Sequence, residues 1–316
     1  MMKKFNNVEK IEGYVYSIGS NFNELQEHVS GENSKNPGTK YIAGDLDIAV
    51  DEDGLNVITV HYTYVTETYK NGKPNNTYGV LKKIIDNPDN YWINGGKDNS
   101  FKVQCTGVSI GINDFIGSDE KPVAAMRNEG GFCTFVQKLA EENERSTFSV
   151  DMLITRVTRI EADPEKNIKK DFCSVGGCIF GYGPKLLPVS LVIRNEAGMN
   201  YFEGLEASNS NPVFTKVWGQ VVCKTVQYTK TEESAFGEAA VQVYERKNRE
   251  YEITGTAKVP YDFGDEDVLT TEDVMKMNQD RQVLLAEVKK RYDERQAAKK
   301  SDGNGGAAIP AGEFNF

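Results

Sequence analysis

Short runs rich in β-branched and aromatic residues dominate the chain, and in several of them apolar and polar positions alternate. The clearest is Val57-Ile58-Thr59-Val60-His61-Tyr62-Thr63-Tyr64-Val65. Glycine-containing pairs such as Asp53-Gly54 and Asn71-Gly72 separate the runs, as turns between strands do. A period of two with glycine-marked turns predicts antiparallel sheet. The predicted strands cover residues 11–18, 41–50, 55–69, 101–112, 148–160, 172–180, 187–194, 213–228, 239–246 and 251–259.

Two segments have a helical pattern instead. Within residues 132–146 an apolar stripe is followed by solvated charge, which predicts a connector helix. Near the end of the chain, Thr270 stands three residues before Asp273, an arrangement similar to a capping box. The apolar positions that follow share one face and predict a C-terminal helix; they are Val274, Met277, Leu284, Leu285, Val288 and Tyr292.

The two halves of the chain resemble each other. Residues 40–60 resemble residues 171–193, and each segment is preceded by a strand and followed by a strand with a central glycine, in residues 101–108 and 214–221. Glycine within a strand relieves strain where a curved sheet turns to close a barrel. The glycines in such places are Gly44, Gly107, Gly176, Gly177 and Gly219. The repeat predicts two related barrels.

The fold class expected is therefore mainly β, with two tandem OB-like antiparallel barrels, a connector helix, a C-terminal helix and a disordered tail. An immunoglobulin-like or virion-type sandwich uses the same pattern and stays open as an alternative. The expected division is a first OB-like domain over residues 1–131, the connector over 132–146, a second OB-like domain over 147–262, an acidic linker and helix over 263–300, and a flexible tail over 301–316.

The tail carries a resemblance to a known family. A stretch rich in Gly, Ala and Asn follows Lys300 and ends in Ile309-Pro310-Ala311-Gly312-Glu313-Phe314-Asn315-Phe316. This resembles the tails of prokaryotic and phage single-stranded-DNA-binding proteins, although the family tip usually carries several aspartates. The resemblance implies a tether whose tip docks onto replication or recombination proteins through Ile309, Pro310, Glu313, Phe314 and Phe316. A frayed terminus without function is the alternative.

Composition narrows the function classes. The net charge of -10 argues against a binder that relies on phosphate contacts alone, but a single-strand binder can rest on base stacking. Five scattered cysteines and two isolated histidines predict no disulfide framework, metal or cofactor. No phosphate-binding loop or catalytic triad is recognisable, so an enzyme is not expected. With no apolar run long enough for a membrane span and no signal peptide, we expect no membrane partner and a cytoplasmic location.

Aromatic residues interleaved with cations are the candidate nucleic-acid contacts. In the first half they are Tyr62, Tyr64, Tyr69, Lys70, Lys73, Tyr78, Lys82, Lys83 and Trp92. In the second half they are Lys216, Trp218, Lys224, Tyr228, Lys230, Tyr244, Arg246, Lys247, Arg249 and Tyr251. Residues 246–249 are predicted to form a turn between two aromatic strands, at a hairpin tip over a groove.

The hypothesis is a phage-encoded protein that binds single-stranded DNA in replication or recombination and recruits partners with its tail. A viral structural or assembly protein that makes only protein contacts is the rival class. An accessory factor of a CRISPR-type or nuclease system is a third. The pattern indicates no particular oligomeric state.

Overall fold

Strands dominate the structure, with four α-helices among the described residues. The computed structural model describes residues 4–19, 23–163, 168–183, 185–232 and 240–302, with the backbone alone for 224–232, 240–248 and 299–302. The strands are β1 (Asn7–Ser17), β2 (Gln26–Val29), β3 (Lys40–Ala49), β4 (Val57–Thr66), β5 (Lys102–Ile116), β6 (Pro122–Glu129), β7 (Phe132–Phe135), β8 (Ser146–Ile160), β9 (Phe172–Gly181), β10 (Lys185–Ile193), β11 (Val213–Glu232) and β12 (Ala240–Thr256). The helices are α1 (Asn76–Ile85), α2 (Trp92–Gly95), α3 (Glu196–Gly204) and α4 (Thr271–Asp302).

The strands of the first half close on themselves. β1 pairs with β3 and β3 with β4, both antiparallel, and β4 then runs parallel to β6. β6 pairs with β5, which returns to the free edge of β1. The order β1-β3-β4-β6-β5-β1 is that of a five-stranded Greek-key barrel of the OB type.

The second half repeats this order strand for strand. β8 pairs with β9, β9 with β10, and β10 runs parallel to β12. β12 pairs with β11, which returns to β8. The internal repeat is therefore confirmed, because β3 and β9, β4 and β10, and β5 and β11 hold equivalent places. Two tandem OB-like barrels are confirmed as well, with one parallel pair closing each otherwise antiparallel barrel.

Glycines fit the places where the sheets bend. At Gly44 the β3–β4 register shifts and φ is +126°, in the region that side chains disfavour. A Cβ atom there would lie 2.4 Å from the carbonyl oxygen of Glu24, and one at Gly177 would lie 2.1 Å from that of Leu153. Both positions thus require glycine for close backbone approach, as the sequence indicated.

The two barrels join through their first strands. Residues 7–11 of β1 pair antiparallel with residues 146–150 of β8. Most of the buried apolar side chains of both barrels belong to one continuous cluster that runs from Ile11 to Ile253. The domain boundaries given above remain a prediction, since continuity of the core does not say whether either barrel folds alone.

A buried polar cluster lies at the same junction. The Tyr251 hydroxyl of β12 donates to Asn128 Oδ1 of β6, and Arg249 Nη1 donates to the Met126 carbonyl over 3.2 Å. Glu9 of β1 is fully buried, and neither of its carboxylate oxygens has a hydrogen-bond partner in the described part of the chain. Burial raises the pKa of Glu9 to about 8, and the nearby Arg249 charge and Tyr251 hydroxyl only partly offset this effect.

Helices occupy equivalent places in the two barrels. α1 follows the third strand of the first barrel and begins at Asn75, whose side chain accepts from the Thr77 amide. α3 follows the third strand of the second barrel and begins at Asn195, which accepts from the Gly198 amide. Asparagine caps of this kind satisfy amides that a helix start leaves unpaired.

The predicted C-terminal helix is confirmed as α4, with 32 residues. Its capping box is present, because the Asp273 amide donates to Thr270 Oγ1 over 3.1 Å and the Thr270 amide to Asp273 Oδ2 over 3.0 Å. Met277 is buried against the second barrel. The disordered tail was predicted over residues 301–316; residues 301 and 302 instead end α4, and residues 303–316 lie outside the described residues.

The connector helix predicted for residues 132–146 is wrong. Phe132–Phe135 form β7, which pairs with β5 after the Gly130-Gly131 break, and Glu142–Glu144 form a single 3-10 turn. Apolar residues three apart suit either a helical turn or a short strand, and the open edge of β5 decides for the strand.

The turn predicted at residues 246–249 is also wrong. β12 runs through this segment, which pairs with residues 223–226 of β11. The two strands predicted over 239–246 and 251–259 are one strand, because the polar run Arg246-Lys247-Asn248-Arg249 lies within a two-stranded ribbon.

No helix in the described residues combines the length and apolar character that crossing a membrane would need.

Replacing Glu9 with Gln tests the polar junction. Above its ordinary pKa of 4.5 this carboxyl is ionised in the unfolded chain, whereas in the folded protein it stays protonated up to about pH 8. The unfolding free energy of the wild type therefore falls as the pH rises across that window. The unfolding free energy of Glu9→Gln has no such pH dependence at this position. In urea denaturation, the difference between Glu9→Gln and wild type should therefore shift in favour of Glu9→Gln as the pH rises from about 5 to about 8, by a few kcal/mol at most.

Glu32→Gln, in an exposed loop, is the matched control and should show the same difference from wild type at both pH values. A Glu9→Gln difference that does not change with pH would contradict the buried, protonated state of this side chain.

Candidate nucleic-acid interface

Three aromatic rings form a row across the outer surface of the first barrel. His28 of β2 pairs in register with Tyr41 of β3, and their ring centroids lie 5.3 Å apart in a stacked arrangement. The Tyr41 and Tyr64 rings follow at 4.5 Å. The side chain of Tyr64 is 45% exposed, and its hydroxyl lies 3.1 Å from Ser30 Oγ. We call His28, Tyr41 and Tyr64 the aromatic row.

The row lies on the strands that carry ligands in OB barrels, the second and third, beside the loop between the first and second. β2 lies within that loop and extends the sheet past the barrel wall. The bend at Gly44 places the neighbouring Tyr62 inside and leaves Tyr64 outside. Sequence alternation alone could not distinguish the two tyrosines.

A cationic loop adjoins the row. The Glu67 amide donates to the Lys40 carbonyl over 3.1 Å, which sets residues 67–75 against the start of β3. The Asn71-Gly72 turn within it is confirmed, with φ of +78° at Gly72 and a bond from the Tyr69 amide to the Lys73 carbonyl of 2.8 Å. Tyr69 is 41% exposed, and the exposed Lys70 and Lys73 are in no ion pair described by the structure.

Three of the predicted tyrosine contacts are buried: Tyr62 and Tyr78 in the first half and Tyr251 in the second half. The prediction that these three rings stack on bases is therefore wrong. Tyr62 is 1% exposed and its hydroxyl lies 3.4 Å from Cys105 Sγ. Tyr78 packs inward from α1, and Tyr251 is fully buried at the junction of the barrels. Trp92 is half-buried, with its ring 5.4 Å from that of Tyr14. Buried rings have no free face for a base.

The predicted lysines of α1 are engaged elsewhere. Lys82 forms ion pairs with Asp86 and, at 3.4 Å, with Glu27. Lys83 Nζ lies 5.3 Å from the centroid of Phe135 and 5.8 Å from that of Phe101. These contacts put Lys83 on a different surface, beside β7.

In the second half, Lys216 and Trp218 lie on β11, and Trp218 is 40% exposed with its indole packed over Gly255. Arg249 is half-buried, and its Nη1 donates to the Met126 carbonyl at the polar junction. The side chains of the other predicted residues lie outside the described part of the chain; they are Lys224, Tyr228, Lys230, Tyr244, Arg246 and Lys247. Their backbones form the ribbon in which β11 and β12 pair beyond the barrel, with Tyr228 opposite Tyr244.

The equivalent end of the second barrel is built differently. By the internal repeat Phe172 corresponds to Tyr41, and its ring is covered by the Arg194 guanidinium at 5.0 Å. Arg194 is in turn ion-paired with Glu250. Paired in this way, its cation is less available to a phosphate, so the aromatic row distinguishes the first barrel.

Acidic residues on β3 are held internally. Asp45 Oδ1 lies 2.7 Å from His61 Nδ1, and Asp47 accepts from Ser17 over 2.7 Å and from Thr59 over 2.6 Å. These bonds tie neighbouring strands together. No group of three or more potential metal ligands is present in the described ranges.

His28, Tyr41 and Tyr182 were missed as candidate contacts. Tyr41 could have been found from the pairing of residues 40–50 with residues 57–66 that the turn at Asp53-Gly54 implies. His28 lies in a four-residue strand with no periodic signal. Tyr182 stands between glycines at the tip of the predicted 172–194 hairpin, and it is 96% exposed.

The strand order defines a tandem OB-barrel protein, and the aromatic row lies on the outer face of its first barrel. The chain belongs to the YorF family, whose model matches residues 10–291. No curated protein matches it. Among solved structures, a deletion mutant of the single-stranded DNA binding protein from Thermus aquaticus is similar, with a TM-score of 0.46 and 10% identity over 84% of this chain and 100% of that one. The fold assignment rests on the strand order and not on this likeness.

Alanine substitution of the two neighbouring tyrosines should separate surface from core. Tyr62→Ala empties a fully buried site and should lower the unfolding free energy by about 3 to 5 kcal/mol. Tyr64→Ala removes one half-exposed ring contact and should cost about 1 kcal/mol. Urea denaturation measures both, and equal losses would contradict the placement of Tyr64 on the surface.

Proposed function

We propose that this protein binds single-stranded DNA without catalysing a reaction. The observation that carries the proposal is the aromatic row on the outer face of the second and third strands of a closed five-stranded barrel. Each base has a flat face, and stacking on an aromatic side chain contributes about 1 to 3 kcal/mol per base without regard to sequence. The rings at the two ends of the row, His28 and Tyr64, are exposed and suit that use, and the half-buried Tyr41 ring between them supports both.

Local charge supports the proposal where net charge does not. The exposed Lys70 and Lys73 stand beside the row, and Lys40 is ion-paired with Glu27 at 3.8 Å, while Asp45 and Asp47 of β3 are occupied by hydrogen bonds. Few phosphate contacts mean a shallow dependence of affinity on salt. We therefore propose a binder in which stacking dominates and cations position the backbone.

The ribbon of β11 and β12 is the proposed second contact. Beyond Gln220 β11 pairs with β12 alone, so the ribbon extends from the barrel as the loop between its fourth and fifth strands. Lys224, Tyr228 and Lys230 lie along this part of β11. Tyr244 and Arg246 stand at the register positions opposite Tyr228 and Val226.

The biological setting is proposed from the tail resemblance. A tether ending in Phe314 and Phe316 would recruit replication or recombination proteins while the barrels hold DNA, in the cytoplasm of a phage-infected cell. Ile309, Pro310 and Glu313 complete the proposed docking tip. A viral structural protein, the rival hypothesis, would need no base-stacking surface.

Removing the row tests the proposal. Fluorescence anisotropy with labelled oligo-dT should show binding by wild type at about 50 mM salt, and Tyr41→Ala/Tyr64→Ala should raise the Kd about 10- to 100-fold because the exposed Tyr64 ring and the Tyr41 ring that supports it are lost. Duplex DNA of the same length should bind more weakly than oligo-dT. Tyr201→Ala, a 39%-exposed tyrosine of α3, is the matched control and should bind as wild type does.

If wild type fails to bind oligo-dT at this salt concentration, the proposal is wrong and the structural rival gains. Binding that survives the double substitution would place the DNA on another surface.

Deleting residues 312–316 tests the tail. The Kd for oligo-dT should stay equal or become tighter, because a carboxylate-bearing tip is removed, whereas co-purification of replication proteins should be lost. Thermal denaturation is the control for folding. A lowered melting temperature would contradict the tether interpretation.

A further inference from the structure

A groove of about 600 Å³ separates the two barrels beside α4. One wall is the outer surface of β5 and β6, the second is the tip of the β9–β10 hairpin, and the third is the first half of α4. Its lining is mixed, with the apolar Ile110, Leu187 and Met277 beside several charged side chains. The volume is within the range of pockets that take small organic ligands, of which a nucleobase is one.

The groove is held in shape by contacts between the barrels. The side-chain Nδ2 of Asn7 donates to the Ile110 carbonyl over 2.9 Å and to the Phe180 carbonyl over 3.2 Å, which fixes the β9–β10 hairpin against β5. Arg281 of α4 binds both oxygens of Asp114, over 2.6 and 3.2 Å. Both side chains of this ion pair are largely buried. A groove built on such contacts is a fixed part of the fold.

An exposed ring stands at the mouth of the groove. Tyr182 lines it from the hairpin tip and is 96% exposed, between Gly181 and Gly183. A ring so exposed gains almost nothing from folding, and flanking glycines leave both of its faces open. Lys185 lines the groove next to it and is exposed.

The groove and the aromatic row meet at neighbouring residues of β4. Thr63 of β4 lines the groove, and the next residue of that strand, Tyr64, belongs to the row. Both side chains are exposed. A strand of nucleic acid lying on Tyr64 would therefore reach the groove within one residue step of β4.

We propose that a single DNA strand continues from the aromatic row into this groove and that Tyr182 of the second barrel stacks on one of its bases. The inference rests on the proposed function. It adds that the two barrels bind the same DNA strand, the first through the aromatic row and the second through Tyr182.

The charges of the groove indicate which interactions would bind the DNA strand there. Arg127 is paired with Glu129 at 2.6 Å and Arg281 with Asp114, so the guanidinium groups of the groove are neutralised within the protein, and the exposed Asp280 offsets the charge of Lys185. The contact should then come from stacking and apolar surface, and only weakly from phosphates. Loss of Tyr182 should lower affinity without changing the slope of log affinity against log salt concentration.

Oligo-dT of two lengths tests the inference with the full chain. In fluorescence anisotropy, Tyr182→Ala should raise the Kd for an oligonucleotide of about 25 nucleotides about tenfold and leave that for about 8 nucleotides within about twofold, since the shorter strand is accommodated on the row. Tyr182→Phe keeps the ring and should bind as wild type does. Tyr182→Trp should add quenching beyond that of wild type with the longer strand only.

The outcomes separate the two proposals. If wild type binds neither length, the proposed function fails and takes this inference with it. If wild type and the row variants behave as proposed but Tyr182→Ala binds the longer strand as tightly as wild type, or weakens both lengths equally, the joint path through the groove is overturned. Because Tyr182 is almost fully exposed, its variants should keep the wild-type melting temperature.

Discussion

The structure depends on how one strand divides its two edges. β1 gives one edge to β5, through residues 9–14, and shares the other between β8, through residues 7–11, and β3, through residues 14–17. The backbone amides and carbonyls of a buried strand must all find partners. By serving three neighbours, β1 closes the first barrel and joins it to the second, and the groove between them follows from that junction.

Closure of the barrels also determines which aromatic residues are buried and which lie on the surface. Closure seals the inner face of each barrel, so Tyr62 and Tyr251 become core residues in spite of their polar hydroxyl groups. It leaves the outer face of β3 and β4 free, where Tyr64 is exposed beyond the Gly44 bend and Tyr41 is half-buried beside it. What a tyrosine can do in this protein is thus decided by which side of a closed sheet it occupies, and not by its neighbours in sequence.

Much of the fold could be predicted because period-two alternation is a local signal. Strands such as β4, with alternating β-branched residues, were found within a few residues of their bounds, and glycines at the bends exposed the repeat. The errors lie where tertiary contacts decide. Phe132 and Phe135 became a strand because β5 offered an open edge, and residues 246–249 became the middle of β12 because β11 continues alongside them.

The candidate site was only partly predictable for a related reason. Tyr64, Tyr69, Lys70 and Lys73 follow one another along the chain, so their grouping shows in the sequence. His28 and Tyr41 join them only through strand pairing. Tyr182 comes from the other half of the molecule. Burial also removes Tyr78, which no pattern of alternating residues could show, since it lies on a helix that fills the end of the barrel.

The central claim is that exposed rings on the outer face of the first barrel contact unpaired bases. Photo-crosslinking of the full chain to a single strand carrying halogenated uracil, followed by mass spectrometry of the adducts, tests it most directly. The account predicts adducts on Tyr41, Tyr64 or Tyr69 that excess unlabelled oligo-dT removes. Adducts confined to the opposite surface at Phe132 and Phe135, or no adducts at all, would contradict it.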